Sequence, residues 1–233
     1  MNIAFRIKKL AIKIREPFLP ETKWSRKSFS QEGEDLVLNR FFEGKGEKNG
    51  FYIDIGAHHP IRFSNTYLFY RNGWRGINVD ATPGSMNIFK RLRPEDINLE
   101  CAISDSRGKL PYYMFKEPAL NTFSSELAEK YINRGQPLLT RQDLELQTLG
   151  NLLDENLKSN QKIDFMSVDV EGYDLQVLKA NNWEKYRPTI ILIESLDFDL
   201  NDPQKTDLYV FLVDKGYSLF AKTINTLFFK LSD

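Results

Sequence analysis

The fold of this chain is indicated most clearly by Phe51-Tyr-Ile-Asp-Ile-Gly-Ala57, together with Gly76-Ile-Asn-Val-Asp80 further along the sequence. Each stretch is an apolar run that reaches an acidic residue, and the first also carries a glycine near its end. This pattern predicts two neighbouring parallel strands whose carboxyl ends form a nucleotide-like cofactor site. Gly56 lets the backbone turn sharply because it has no Cβ, and Asp80 can accept hydrogen bonds from ribose hydroxyls. The alternative is that both acids are structural loop residues that cap helices.

Asp54 distinguishes between classes of cofactor. A dinucleotide fingerprint has glycines here and places a pyrophosphate on a helix N-terminus. An acid two residues before the glycine would repel that phosphate, whereas it suits a cofactor that is cationic at this point. The sulfonium and α-amino groups of S-adenosylmethionine (SAM) meet that requirement, so the residues favour SAM over a nicotinamide dinucleotide.

Predicted strands alternate with predicted helices, which indicates an α/β protein with βαβ units and a parallel sheet. The predicted strands are residues 51–55, 76–80, 97–103, 163–168, 189–193, 217–221 and 227–231. The predicted helices cover about 32–42, 64–72, a segment opened by Thr82-Pro83, 173–180 and 204–214. Because the gap between the third and fourth strands is too long for a plain crossover, we expect a substrate-side insertion at about 109–150.

The composition fits one α/β domain of 233 residues with a modest insertion. The 32 Lys and Arg residues balance 32 Asp and Glu residues, so no net field recruits nucleic acid or anionic lipid. The single cysteine, Cys101, excludes an internal disulfide framework and a cysteine zinc site. It also suits a reducing cytosol, so we expect a cytoplasmic protein that does not bind nucleic acid.

Residues 1–29 differ in kind from the rest of the chain, and we expect the main domain to occupy 30–233. Within 3–15, apolar residues recur at helical spacing among basic side chains, which predicts a basic amphipathic helix. Such a helix can lie on an anionic membrane surface, or it can dock on its own domain or on a second subunit. The segment therefore predicts either peripheral membrane contact or self-association.

Six motifs, read together, resemble those of one enzyme family. They are Ser30-Gln-Glu-Gly-Glu-Asp35, Phe51-Tyr-Ile-Asp-Ile-Gly-Ala57, Ser64-Asn-Thr66, Gly73-Trp-Arg-Gly-Ile-Asn-Val-Asp80, Ala102-Ile-Ser-Asp105 and Val168-Asp-Val-Glu-Gly-Tyr173. In this order they resemble the FkbM family of SAM-dependent methyltransferases. The resemblance implies a Rossmann-like class I methyltransferase fold, with a mostly parallel seven-stranded sheet, a final antiparallel strand and helices on both faces. It also implies O-methyl transfer, frequently to sugars in polysaccharide or natural-product pathways.

Carried over by position, the resemblance implies a set of residues around SAM. The set is Gln31, Asp54, Gly56, Ala57, Asn65, Asp80, Ser104 and Asp105. The loop 54–57 would hold the methionine part, and Asn65 would contact its amino-acid end. Asp80 would bind the ribose, and Ser104 and Asp105 would lie near the adenine.

One departure from the family pattern concerns the loop after the first strand. The family often shows Gly-Ala-Asn-x-Gly, whereas this chain has Gly56-Ala-His-His-Pro60. Pro60 donates no backbone hydrogen bond and cannot take the positive φ that glycine allows, so the loop conformation stays open. The loop also contains both histidines of the chain, His58 and His59. Each can take a proton near neutral pH, or it can simply hydrogen-bond the loop.

Methyl transfer requires an acceptor oxygen aligned with the SAM methyl group, and help with the loss of the acceptor proton. A general base or a divalent cation can provide that help. We expect Asp169 and Glu194, at the ends of the fourth and fifth strands, to act there with His58 or His59. Carboxylates suit Mg²⁺, and a histidine ligand such as His59 extends the choice to Mn²⁺ or Fe²⁺. The sequence leaves the metal and base mechanisms open.

The acceptor, a sugar or sugar nucleotide, is expected to contact the insertion. The candidate residues there are Tyr112, Tyr113, Asn121 and Thr122. Glu171 is a further candidate, and the alternative for Glu171 is that it closes the turn at Gly172 or caps the next helix. Two other functions are weighed against methyl transfer. An NAD(P)-binding oxidoreductase is disfavoured by Asp54, and a non-catalytic protein with the same fold is disfavoured by the polar motif positions.

Overall fold

The computed structural model describes residues 23–44 and 49–232. The amphipathic helix predicted at 3–15 lies outside the described residues. Among those that are described, no helix combines the length and the apolar character needed to cross a membrane.

The described residues contain ten strands and seven α-helices. The strands are β1 (Phe51–Ile55), β2 (Arg75–Asp80), β3 (Ile97–Glu100), β4 (Ala102–Ile103), β5 (Gly108–Phe115), β6 (Leu138–Gln147), β7 (Phe165–Val168), β8 (Ile190–Glu194), β9 (Tyr217–Lys222) and β10 (Thr226–Leu231). The helices are α1 (Glu34–Glu43), α2 (Tyr67–Arg71), α3 (Met86–Leu92), α4 (Ser125–Asn133), α5 (Leu149–Asn156), α6 (Asp174–Lys179) and α7 (Asp207–Asp214).

The main sheet has seven strands in the order β3-β2-β1-β7-β8-β10-β9. The contacts among β3, β2, β1, β7 and β8 are all parallel, and β10 runs antiparallel to both of its neighbours. The predicted mostly parallel sheet with a final antiparallel strand is therefore confirmed. The prediction of a single strand over 97–103 was wrong in one respect. This segment forms two strands, and the second of them, β4, belongs to a separate three-stranded sheet.

Helices cover both faces of the main sheet, as predicted. Along β1, Tyr52 points to one face and Ile53 to the other, as alternation along a strand requires. Tyr52 packs in a core cluster with Leu38 and Phe42 of α1, whereas Ile53 packs in a second cluster with Leu152 of α5. Burial on both faces explains why the central strands are mostly apolar, and the buried polar residues Asp54 and Asn78 are exceptions.

The expected insertion forms a small sheet of its own. β5 and β6 pair antiparallel, β4 pairs with β6 parallel, and together they make a three-stranded sheet in the order β4-β6-β5. Between β5 and β6 lie a short 3-10 turn at Pro118–Leu120 and the helix α4. The insertion therefore stands beside the carboxyl edge of β2 as a compact unit, rather than as a long loop.

Candidate active site

A cavity opens at the carboxyl ends of β1, β2 and β7, where the sheet edge meets the insertion. The space between its walls is about 800 Å³, a figure that includes open solvent at the mouth. Its lining comes from the strand ends and from the insertion. The lining residues are Gln31, Ile55, Gly56, His58, Phe63, Val79, Asp80, Ala81, Cys101, Ile103, Tyr112, Pro118, Ala119, Asn121, Phe123, Asp169, Val170, Glu171 and Tyr173.

Gly56 is required where the chain leaves β1. Its φ is +81°, and a Cβ there would lie 1.7 Å from the carbonyl oxygen of Asp169. Only glycine combines this conformation with such a close approach of two backbones. The amide N–H groups of Gly56 and Ala57 both donate to the carbonyl oxygen of Val79, at 2.9 and 3.0 Å. The loop is therefore fixed against β2 on one side and against the end of β7 on the other.

Asp80 lines the cavity at the end of β2, and its carboxylate organises the surrounding loops. The Oδ2 atom accepts from the amide N–H of His58 at 2.9 Å, and Oδ1 accepts from that of Thr82 at 2.8 Å. Each carboxylate oxygen keeps a second lone pair. Asp80 can therefore hold both loops and still accept hydrogen bonds from vicinal hydroxyls of a ligand.

Asp54 is placed differently from the expectation, since it is 5% exposed and is not among the lining residues. The hydroxyl of Thr66 donates to its Oδ2 at 2.6 Å, and Arg93 donates to that same hydroxyl at 3.0 Å. Burial raises the pKa of Asp54, whereas the Thr66 hydrogen bond and the Arg93 charge lower it. The structure thus assigns Asp54 to a polar network behind the glycine loop.

Arg93 is the centre of that network and is fully buried. Its Nε donates to Oδ2 of Asp96 at 2.8 Å, and its Nη2 donates to the hydroxyl of Tyr52 at 2.6 Å. Asp96 also accepts from the Tyr52 hydroxyl at 2.7 Å and from the Gly76 amide at 2.9 Å. The network ties β1 and β2 together directly behind their carboxyl ends.

The two histidines occupy different environments. The Nδ1 atom of His59 accepts from the amide N–H groups of Ile61 and Arg62, each at 3.0 Å. His59 is not a lining residue, which agrees with the alternative that it hydrogen-bonds the loop. His58 does line the cavity, its φ is +51°, and Nη1 of Arg62 lies 3.4 Å from its Nε2. Burial lowers the pKa of both imidazoles.

Only part of the predicted cofactor set lines the cavity. Gln31, Gly56 and Asp80 do so, whereas the Asn65 side chain donates to the hydroxyl of Ser167 at 3.0 Å. The remaining members of the set, Ala57, Ser104 and Asp105, are also outside the lining. The sequence reasoning missed Cys101 and Ile103, which line the cavity in the segment where Ser104 and Asp105 were expected. Their apolar character next to a strand end was the available signal.

Three carboxylates gather at the ends of β7 and β8. One oxygen from each of Asp169, Glu171 and Glu194 lies within 4.8 Å of the others. Burial raises the pKa of Asp169 well above its usual range, with the Glu194 and Glu171 charges adding to the effect. Burial also raises the pKa of Glu194 to about 8, together with nearby carboxylates. The arrangement suits a bound cation or a carboxyl that carries a proton.

More carboxylates surround this cluster. Glu171, Asp174, Glu32 and Glu34 all raise the pKa of Glu194. All four accept hydrogen bonds: Glu32 from the Asn225 side chain at 2.7 Å, Glu34 from the Glu32 amide N–H at 2.8 Å, Asp174 from backbone amides, and Glu171 from a tyrosine described below. The excess of negative charge is therefore a property of the whole edge of the sheet.

Glu171 is held by the insertion. Its backbone is in the left-handed region, with a φ of +50°, and the Thr122 hydroxyl donates to its carbonyl oxygen at 2.7 Å. The hydroxyl of Tyr131 on α4 donates to its Oε2 at 2.8 Å. Burial and then the Glu171 carboxylate raise the pKa of Tyr131, so the hydroxyl stays a hydrogen-bond donor.

The predicted acceptor residues are divided between the cavity and the scaffold. Tyr112 lines the cavity, and its hydroxyl lies 2.9 Å from that of Thr82. Asn121 also lines it, although its amide is engaged by the Phe115 N–H and the Thr82 hydroxyl. Thr122 is fully buried and holds Glu171 as described, and Tyr113 lies outside the lining, with its ring beneath the Arg141 guanidinium.

The strand order, the glycine turn after β1 and the acid at the end of β2 define the class I methyltransferase fold. Residues 54–219 match the sequence model of the methyltransferase FkbM domain. Because that match spans more than half of the chain, the chain belongs to this methyltransferase family. No curated protein shows significant sequence similarity to it.

The solved structures that are similar to this chain have low sequence identity to it. One is the 1,6-didemethyltoxoflavin-N1-methyltransferase of Burkholderia thailandensis with bound 1,6-didemethyltoxoflavin and S-adenosylhomocysteine, at 12% identity and a TM-score of 0.42, covering 97% of this chain and 90% of that one. Another is the O-methyltransferase of Bacillus cereus in complex with SAH, at 10% identity and a TM-score of 0.41, covering 94% and 90%. A TehB-like SAM-dependent methyltransferase of Corynebacterium glutamicum shows 10% identity and a TM-score of 0.39, covering 97% and 100%.

Proposed function

We propose that this protein is a SAM-dependent O-methyltransferase whose acceptor is a sugar hydroxyl, either nucleotide-linked or in a polysaccharide precursor. The observation that carries the proposal is a single cavity that joins Gly56 and Asp80 to the carboxylates of Asp169 and Glu171. A cofactor site and a site for proton loss therefore face the same space. The family membership supports methyl transfer, and the carboxylates support an oxygen acceptor, because an alcohol needs help to lose its proton.

In this proposal SAM lies across the ends of β1 and β2. Asp80 accepts hydrogen bonds from the ribose hydroxyls through its free lone pairs. Gly56 allows the methionine part to pass close to the backbone, and the apolar Ile103 and Ala81 flank the adenine. The backbone carbonyl oxygen of Asp169, which lies close to Gly56, would favour a cationic centre such as the sulfonium at this point.

The acidic cluster fits a divalent cation such as Mg²⁺ or Mn²⁺. Asp169, Glu171 and Glu194 are oxygen ligands, and their oxygens are close enough together to share one ion. In this proposal Glu171 replaces His59, which the sequence analysis gave as the third metal ligand beside Asp169 and Glu194. When bound, the cation would lower the pKa of the acceptor hydroxyl and position it.

The chain's own residues then account for the remaining steps. SAM, when bound, would supply the methyl group, and an acceptor oxygen held in line with the sulfur would take it as the carbon–sulfur bond breaks and S-adenosylhomocysteine leaves. The acceptor proton passes to a carboxylate of the cluster or through it to water. Tyr112, Phe123 and Tyr173 form an aromatic wall of the cavity on which a sugar ring can pack.

The proposal is tested by SAM consumption with a panel of nucleotide sugars, with and without EDTA. We expect one acceptor to give S-adenosylhomocysteine, EDTA to abolish the rate, and Mn²⁺ or Mg²⁺ to restore it. Asp169→Asn should lower the rate by about 10²–10⁴, whereas Asp143→Asn, an exposed acid on β6, should not. A rate that EDTA does not change would indicate that a carboxylate base, and not a cation, assists the loss of the acceptor proton. SAM binding without turnover of any sugar would refute the acceptor class.

A further inference from the structure

We propose that Tyr131 is a positioning residue, which fixes the Glu171 carboxylate within the acidic cluster and makes the insertion part of the catalytic geometry. This inference rests on the proposed function of that cluster. Neither the family match nor the sequence pattern assigns a role to Tyr131. The proposal stands on three contacts between the insertion and the segment that follows β7.

The first contact is the hydrogen bond from the Tyr131 hydroxyl to Oε2 of Glu171, at 2.8 Å. The tyrosine ring packs edge-to-face on Phe115 of β5, with an interplanar angle of 90° and a centroid distance of 5.6 Å. The ring is therefore held by the small sheet while its hydroxyl reaches the cluster. A charge-assisted hydrogen bond of this kind restricts a carboxylate that could otherwise adopt several rotamers.

The second and third contacts hold the backbone beneath that carboxylate. Thr122 donates to the carbonyl oxygen of Glu171 at 2.7 Å, and the Glu171 φ of +50° is rare for a residue with a Cβ. Next to it, Gly172 has a φ of +86°, and a Cβ there would lie 2.5 Å from Cδ1 of Leu127 on α4. Such a conformation persists where the surroundings determine it fully, and here the insertion provides those surroundings.

These contacts connect acceptor binding with catalysis. The same segment that contributes Asn121 and Phe123 to the cavity wall also carries Thr122 and Tyr131. An acceptor that shifts this segment therefore shifts Glu171 as well. The structure thus predicts that Tyr131 affects kcat through Glu171, while the SAM site on β1 and β2 is left as it was.

The test compares Tyr131→Phe with Tyr186→Phe. Tyr186 makes a matched control because its hydroxyl donates to Oδ1 of Asp154 at 2.7 Å, away from the cavity lining. We expect Tyr131→Phe to lower kcat about ten-fold, to weaken Mn²⁺ binding about five-fold, to leave the SAM Kd unchanged, and to lower Tm no more than Tyr186→Phe, which also loses a hydrogen bond to a carboxylate. Tyr186→Phe should change neither kcat nor Mn²⁺ binding.

A double-mutant cycle with Glu171→Gln separates positioning from a general structural effect. If Tyr131 acts through Glu171, Tyr131→Phe should cost about ten-fold in the wild-type background and almost nothing in Glu171→Gln. An equal loss in both backgrounds, or no loss in either, would overturn the inference.

The proposed function would fail on its own if the wild-type protein turned over no acceptor. Hydrogen exchange by mass spectrometry then decides the positioning inference. The segment 168–174 should take up deuterium faster in Tyr131→Phe than in wild type and Tyr186→Phe. Unchanged uptake in that segment would overturn the inference without any reference to activity.

Discussion

Replacing Asp80 by alanine tests the placement of the cofactor. The substitution removes an acceptor that the His58 and Thr82 amides use at 2.9 and 2.8 Å, and that the ribose hydroxyls are proposed to share. A hydrogen bond between a ligand and a charged group contributes on the order of 1–3 kcal/mol. The SAM Kd should therefore rise between about five-fold and 150-fold. Because the His58 and Thr82 amides lose their hydrogen bonds to Asp80, the free energy of unfolding should also fall by about 2 kcal/mol.

The assay is calorimetric titration with SAM and S-adenosylhomocysteine, accompanied by urea unfolding of the same samples. Asp164→Ala is the matched control, because Asp164 Oδ2 accepts from the Phe51 amide at 2.8 Å where β1 begins, away from the cavity. It should lose comparable stability and keep the wild-type SAM Kd. A folded Asp80→Ala protein whose SAM Kd stays within two-fold of wild type would refute the placement, as would an equal loss of affinity in Asp164→Ala.

Three further outcomes follow from the structure. Gly56→Ala should abolish SAM binding measurable by calorimetry, because the new Cβ would lie 1.7 Å from the Asp169 carbonyl oxygen. Gly135→Ala is the control, since Gly135 has a similar φ of +80° but no atom lies within 4 Å of its Cβ position. Equal losses of SAM binding in the two variants would show that the steric clash at Gly56 is not the cause. Arg93→Met should lower the free energy of unfolding, measured in urea, by about 3–5 kcal/mol, because it leaves the buried Asp96 charge uncompensated. Arg91 is exposed, so Arg91→Met is the control. A loss below about 1 kcal/mol in Arg93→Met would be evidence that the Arg93 network does not stabilise the fold. His59→Ala should keep kcat within about three-fold, because Nδ1 of His59 holds loop amides; a hundred-fold loss would return His59 to the catalytic set.

The sequence was sufficient to predict the main sheet because its central strands carry a strong signal. β1 and β2 are buried along nearly their whole length and reach a glycine or an acid at their carboxyl ends, so β1, its shared edge with β2 and β2 to within one residue followed from the residues alone. β6 gave no such signal. Most of its residues are exposed, and the apolar and polar residues of Leu138–Gln147 do not alternate cleanly. Its pairing with β5 comes from the tertiary structure.

The site was predictable only where the backbone determines the chemistry. Gly56 follows β1 directly and Asp80 is the last residue of β2, so their place at the cavity depends on topology. The role of Asp54 depends instead on Thr66 and Arg93, which the sequence separates from it and which packing brings close. The same holds for Tyr131, which meets Glu171 through the docking of α4. Side-chain partners that depend on packing leave no periodicity in a single sequence.

The acidic cluster is best understood through the contact of Gly56 with Asp169. The carboxyl end of β1 turns into the cofactor loop, and the same turn presses against the carbonyl oxygen of the first acid after β7. We therefore expect a displacement of the turn at Gly56 to be transmitted to Asp169, and a displacement of α4 to be transmitted to Glu171. The cluster is thus held from the cofactor side by a backbone contact and from the insertion side by side-chain hydrogen bonds. If the cluster serves the proposed transfer, we expect it to align donor and acceptor only when both of its supports are in place, because in-line transfer requires both reactants to be held in one geometry.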